Sequence, residues 1–338
     1  MGLFPKDRNL ATAPDRVELA VRASDWQARP EELEVRLDAF LRRFLSWRSR
    51  NSIQALIHEG LVSVRPVAPE RPDDPPALAV ELRPSRRLHH GALVVVRIPE
   101  EHRLPEVLAE PGELRVLHED EDVLVVDKPA GLVVHPGAGH DRGTLVQGAL
   151  AHAPGLAGVG DPARPGVVHR LDHGTSGLLV LAKRDDAYDS LVAQFGARTV
   201  ERRYRALVWG HPDDDVGLVD APIGRSIRRP TRMTVSASGR EARTRYEVQQ
   251  RFTAPVEVAL LACRLETGRT HQIRVHLSAI GHPVVGDDQY GGERGVLSPG
   301  RPLLHAETLG FVHPGTGRPV SFRSALPADF RDVLERLG

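Results

Sequence analysis

His169-Arg170-Leu171-Asp172 sets a carboxylate, a guanidinium and an imidazole within four residues. It lies between Pro165-Gly166-Val167-Val168 and Gly174-Thr175-Ser176-Gly177, after which the chain runs apolar from Leu178 to Leu181. Reactive side chains on a short loop between rigid flanks are the usual way a scaffold presents functional groups. Taken alone, Asp172 would be a loop aspartate capping the turn before Gly174. A second polar set follows about 100 residues on. It is Thr267-Gly268-Arg269-Thr270-His271-Gln272-Ile273-Arg274-Val275-His276-Leu277, continuing through Gly281-His282-Pro283 to Gly286-Asp287. Thr270 can cap a helix running through Ile273, His276, Leu277 and Ile280 to Gly281, which places Arg274 beside its apolar stripe. The surrounding chemistry is not that of a metal site. His271 and His276 are five apart with no acid between them, so they do not share a helix face as the pair of H-E-x-x-H does. Cys263 is the single cysteine, which leaves neither an internal disulfide nor a cysteine-rich zinc site.

Three segments carry a resemblance. HRLDHGTSGLLVLAK is similar to the signature of the RluA family of pseudouridine synthases. Arg203-Tyr204-Arg205-Ala206-Leu207-Val208-Trp209-Gly210 resembles, from Tyr204 onward, that family's basic-x-Y-x-A-x-V-x-G pattern, and the Thr267 to Asp287 string resembles its third motif. Lys128-Pro129-Ala130-Gly131-Leu132, Leu304-His305-Ala306 and His313-Pro314 extend the likeness over residues 114–338. The resemblance implies an isomerase that converts uridines in structured RNA to pseudouridine. It makes Asp172 the catalytic carboxylate, acting as nucleophile or base, and Arg274 its charge partner. It sets Tyr204 against the target uracil, with its hydroxyl exchanging a proton. His169, Arg170, Leu171 and Ile273 are then substrate-binding: Arg170 fills the space a flipped base vacates, His169 orients the loop, and Ile273 packs against the base. Isomerisation needs neither redox chemistry nor an external group, so no cofactor and no metal are expected. An ionised carboxylate is needed, and a neighbouring cation favours that form where burial alone would oppose it.

The elements that must position these groups read as α+β. Residues 114–117 and 123–126 form a hairpin pattern around an acidic turn, and 187–195 has helical spacing. Residues 204–209, 242–248 and 256–265 alternate as strands. Short strands interleaved with few helices suggest a largely antiparallel mixed sheet with a central cleft. Residues 1–30 lack periodicity and read as a loose tail. From Leu33, the residues Leu37, Phe40, Leu41, Phe44 and Leu45 recur at helical spacing, a second helix covers 52–58 before Gly60, and 61–64 is a strand. With Arg36, Arg42, Arg43, Arg48 and Arg50 on polar faces, residues 31–99 resemble the alpha-L RNA-binding module common before RluA-type domains. They depart from it in a proline-rich stretch, with six prolines in residues 66–87. Residues 100–113 read as a linker to a catalytic domain over 114–338.

Formal net charge is zero over 338 residues, yet the charge is unevenly spread. Between Arg225 and Arg245 stand seven arginines against one acid, Glu241. Arg225, Arg228, Arg229 and Arg232 are therefore expected to hold RNA phosphate, which the planar guanidinium grips well. The partner expected is structured RNA, ribosomal RNA ahead of transfer RNA. No apolar run suits a membrane, the N-terminus lacks a signal-peptide layout, and a cytoplasmic, monomeric protein is expected. The competing reading is a catalytically idle RNA-binding or ribosome-assembly factor on the same fold.

Overall fold

The computed structural model describes residues 16–45, 50–67, 77–99, 107–137, 140–161, 163–226, 228–229 and 231–338. The chain forms two compact units, one of residues 1–107 with 157–165, the other of 108–156 with 166–338. The sequence expectations for residues 1–15, the tip of the proline-rich stretch, Arg48 and the first half of the linker lie outside the described residues.

In the first unit β1 (Arg16–Ala20), β2 (Glu34–Arg36), α1 (Leu37–Phe44), α2 (Arg50–His58), β3 (Val62–Arg65), β4 (Ala79–Val80), β5 (Arg87–His89) and β6 (Leu93–Arg97) follow one another. The sheet order is β1-β6-β3-β4, with β2 and β5 paired separately. Two sequence expectations are corrected here. Residues 16–20 are not a loose tail but a strand, antiparallel to β6, with Val17 and Leu19 buried and alternate residues exposed. The first helix starts at Leu37 rather than Leu33. Val35 buries from a strand, so Leu33 and Leu37 satisfy a helical spacing without sharing a helix. Leu37, Phe40, Leu41, Ile53, Leu56 and Ile57 are fully buried in the core beneath the sheet. Gly60, at φ 73°, turns the chain out of α2 where a Cβ would be strained.

The second unit holds β7 (Val116–Glu119), β8 (Val123–Lys128), α3 (Leu145–His152), β9 (Ser176–Ala182), α4 (Asp185–Ala197), β10 (Glu201–Trp209), β11 (Val216–Asp220), β12 (Ile223–Arg225) and β13 (Met233–Val235). It continues with β14 (Arg243–Phe252), β15 (Val258–Leu265), α5 (Gln272–Ala279), β16 (Leu304–Val312), β17 (Pro319–Arg323) and α6 (Ala328–Glu335). The large sheet runs β11-β14-β15-β10-β16-β9-β8-β7, with β17 on the far end of β16. Every pairing in it is antiparallel except β9 with β16, which makes the unit α+β with a mixed sheet. Every residue of β9 is buried, as expected of a strand covered on both faces. Gly177, at φ 112°, lets β9 meet β16. A Cβ there would stand 2.3 Å from the carbonyl oxygen of Ala306, so the parallel pair that carries the Asp172 loop depends on glycine. Among the described residues no helix is long and apolar enough to cross a membrane.

Candidate active site

Asp172 lies in the loop that enters β9, and its backbone is fixed from two sides. Its carbonyl accepts the Thr175 N–H at 3.1 Å, while the next carbonyl, of His173, accepts the Gly131 N–H at 2.9 Å and the Lys128 ammonium at 3.2 Å. Lys128, buried at the end of β8, also donates to the carbonyls of Pro129 and Leu132, tying the 129–132 turn to the Asp172 loop. Burial pulls its pKa down to about 7, against the attraction of Asp172.

Arg274 projects from α5 and is 5% exposed. Its fork grips Asp287 twice, Nε to Oδ2 at 2.6 Å and Nη2 to Oδ1 at 2.9 Å, and Nη1 donates to Asp172 Oδ2 at 3.3 Å. Asp287 is fully buried and also accepts the N–H groups of Gln289 and Tyr290. Burial works against the Arg274 charge, yet Asp287 and Asp172 overcome it and raise its pKa above the usual arginine value. The guanidinium lies 5.0 Å from the centre of the Tyr290 ring. A rigid cation thus faces Asp172 from a network whose own charge is already met.

The helix does not start as its sequence suggested. Its N-cap is His271, at φ 56°, rather than Thr270. Gln272, the first residue of the helix, ties it to the preceding turn by accepting from the Thr267 hydroxyl and the Arg269 N–H. The Tyr290 hydroxyl accepts the Met233 N–H and shares a 2.8 Å hydrogen bond with His271 Nδ1. The other ring nitrogen, Nε2, lies 4.0 Å from Asp172 Oδ1. This chain of contacts links the β12–β13 hairpin to the carboxylate.

Asp172, Tyr204, His169, Arg170, Leu171 and Ile273 all line one cavity of about 440 Å³. Tyr204 and Ile273 are buried in its walls, and burial pushes the Tyr204 phenol up to about 12, with Arg202 opposing. His169 Nε2 accepts the Val180 N–H at 3.0 Å, and its ring stacks on Phe195 at 4.6 Å. Burial holds its pKa down at about 3, so the imidazole is neutral and orients the loop. Arg170 stands exposed at the cavity edge.

Of the phosphate-binding candidates, Arg225 ends β12, Arg228 and Arg229 are exposed beyond it, and Arg232 is half-buried. None of the four lines the cavity. Arg198, Arg202, Arg240 and Arg269 line it instead. Other arginines of the cluster are partly neutralised, Arg243 by Asp220 and Glu266, and Arg245 by Glu266.

Sequence reasoning missed Lys128, Asp287, Tyr290 and Arg202 as parts of the site. Lys128 and Asp287 stand inside quoted motifs. Arg202 precedes Tyr204 by two residues, the spacing that puts two strand residues on one face. His118, Asp120 and His313 converge elsewhere in this unit as a group able to ligate a metal. His313 Nδ1, however, accepts the N–H groups of Gly315 and Thr316. Its proton therefore sits on Nε2 and is donated to Asp120, which suits a hydrogen-bonded cluster rather than a ligand set.

A family model described as RNA pseudouridylate synthase matches residues 122–279. An uncharacterised RNA pseudouridine synthase of Bacillus subtilis (strain 168) is 43% identical over 93% of this chain and 97% of its own length. Ribosomal large subunit pseudouridine synthase D of Zymomonas mobilis is 41% identical over 89% of this chain and 93% of its own. The solved structure of human RNA Pseudouridylate Synthase Domain Containing 1 shares 27% identity at a TM-score of 0.52, covering 68% of this chain and 97% of that one. With near full-length matches at this identity and the three motifs in place, the chain belongs to the RluA family of RNA pseudouridine synthases, isomerases that act on RNA.

Proposed function

We propose that this protein converts uridines of large-subunit ribosomal RNA to pseudouridine, with Asp172 carrying the chemistry. The observation that supports this most is the Asp172 carboxylate at the cavity wall, faced by an Arg274 whose position Asp287 fixes. The ribosomal substrate follows the name of the Zymomonas mobilis relative.

The reaction breaks the bond from ribose to a ring nitrogen of uracil and makes one to carbon five. A uridine in folded RNA must first leave its stack, which costs a few kcal/mol, and the cavity receives it. Arg170, exposed at the rim, takes the place the base leaves. Asp172 then acts on sugar or base as nucleophile or general base, and either role needs its ionised form, which Arg274 favours. Tyr204 and Ile273 hold the uracil between them, and the phenol, neutral with its raised pKa, can exchange a proton with the base. Residues 31–99 act as an RNA-binding module, with Arg42 and Arg43 exposed on α1. No observation favours the idle reading.

Tritium release from RNA labelled at uridine carbon five, isolated from cells lacking this gene, tests the proposal. Purified wild type should release tritium in EDTA without added nucleotide, and Asp172→Asn should release none while binding the RNA. Turnover by Asp172→Asn close to wild type would overturn the assignment.

A further inference from the structure

We propose that Arg202 is a further catalytic residue, whose guanidinium faces the carbonyl edge of the flipped uracil and stabilises the negative charge the base takes on as it leaves the ribose. This rests on the function proposed above.

Arg202 is 7% exposed and lines the same cavity as Asp172 and Tyr204. Among the described residues no carboxylate lies within 4.0 Å of it. Its Nε meets no protein acceptor, Nη2 makes one long contact of 3.5 Å to the Leu265 carbonyl, and the Phe195 ring lies 5.6 Å away. Arginine has five N–H donors and stays charged in proteins. Buried Arg274 has a bidentate carboxylate; buried Arg202 has none. An uncompensated buried charge is costly, and a native chain keeps one where function uses it.

The missing acceptor is either a phosphate or the base, and placement favours the base. Arg170 and Arg240 are exposed along the same cavity and suit a phosphodiester arriving with its strand, while Arg198 beside them is already paired with Glu241. Arg202 is covered and suits a flat base edge entering the cavity. Tyr204 lies within electrostatic reach of both Asp172 and Arg202. A nucleotide with its ribose at Asp172 and its ring against Tyr204 would bring a carbonyl oxygen toward Arg202.

The charge arises from the bond change itself. As the ribose C1′–N1 bond breaks, its electron pair stays on N1 and spreads onto the uracil carbonyl oxygens, to which Arg202 donates. After the ring turns, C5 bonds C1′, the C5 proton leaves and N1 gains a proton, so the product is an isomer and no co-reactant is consumed. A donor preset where charge develops acts on the transition state more than on the bound ground state.

The test is single-turnover tritium release at saturating enzyme, on carbon-five-labelled RNA from cells lacking this gene, with RNA affinity measured in parallel. Arg202→Gln should slow conversion by about 100-fold or more, as loss of one oxyanion donor does, with affinity within about threefold of wild type. Arg202→Lys should recover part of the rate. Gly268→Ala is an independent variant: its Cβ would stand 2.8 Å from Arg202 Nη1, so it displaces the guanidinium while keeping the charge. It should slow conversion by roughly tenfold. If Arg202→Gln fails to fold, Gly268→Ala decides alone. A folded Arg202→Gln at the wild-type rate overturns the inference, as does one that loses affinity but keeps its saturated rate, which would make Arg202 a phosphate contact. Either result with an active wild type leaves the synthase reading standing, whereas a wild type that releases no tritium refutes both.

Discussion

The second unit holds its arginines in two different ways. Two of those near Asp172 are buried: Arg274 is shared between two carboxylates, and Arg202 sits in the cavity wall. On and beside the β12–β13 hairpin, Arg228 and Arg229 are exposed. A buried, oriented charge acts where bonds change, because it needs no rearrangement when charge develops. An exposed charge in water contributes affinity that salt screens. The difference predicts that substitutions at the cavity should lower the rate at saturation, and substitutions on the hairpin should lower binding.

The largest effect short of removing Asp172 is expected at Arg274. Arg274→Ala would strip Asp287 and Asp172 of their cation and should cost on the order of 3–5 kcal/mol of stability, with conversion nearly lost. Denaturant unfolding and tritium release check both. A stable, active Arg274→Ala would erase the distinction between the two arginine sets. Arg274→Lys keeps the charge but not the fork, and should recover stability better than activity.

A smaller effect concerns His169. Its folded pKa of about 3 lies below the ordinary value near 6.5. Between these pH values the unfolded chain binds a proton that the native one refuses, so the contribution to stability is complete above about pH 6.5 and is lost as pH falls toward 3, by at most about 1.4 kcal/mol per unit. His169→Phe cannot titrate and should unfold with a shallower pH dependence over that window. Parallel curves for variant and wild type would mean that His169 protonates freely in the fold.

The smallest effect on rate is expected from the triple change of Arg228, Arg229 and Arg232 to alanine. RNA affinity should fall and the slope of log affinity against log salt should flatten by roughly 0.7–0.9 per lost phosphate contact, with the saturated rate within about twofold of wild type. An unchanged slope would mean that these arginines only solvate the surface.

Much of this contrast was legible before the fold was known, because it lies in local pattern. The 116–128 hairpin, the 185–197 helix and strands β10, β14 and β15 declare themselves by apolar alternation or helical spacing, and the sequence expectations overlap each of them. What was not legible depends on distant partners. β1 is five residues long, and only its pairing with β6, over 70 residues away, makes its alternation a strand. Leu33 fits two periodicities, and the strand pairing of Val35 with Leu88 decides between them. Asp172 and Arg274 stood in strings that could be quoted, but the fixing of Arg274 by Asp287 required the turn after α5 to fold back on that helix. Burial of a charge, as at Lys128 and Arg202, is a property of the assembled sheet that no short window carries. The arginine cluster misled in the opposite sense: spacing along the chain grouped Arg243 and Arg245 with it, while the sheet pairs both with Glu266.

The central claim is that this chain isomerises uridines of large-subunit ribosomal RNA through the Asp172 carboxylate. The most direct measurement is a pseudouridine map of that RNA from cells lacking the gene and from the same cells supplied with wild type or Asp172→Asn. The account predicts that one or more pseudouridines vanish on deletion, return with wild type and stay absent with Asp172→Asn. A map unchanged by deletion, or one restored by Asp172→Asn, would contradict it.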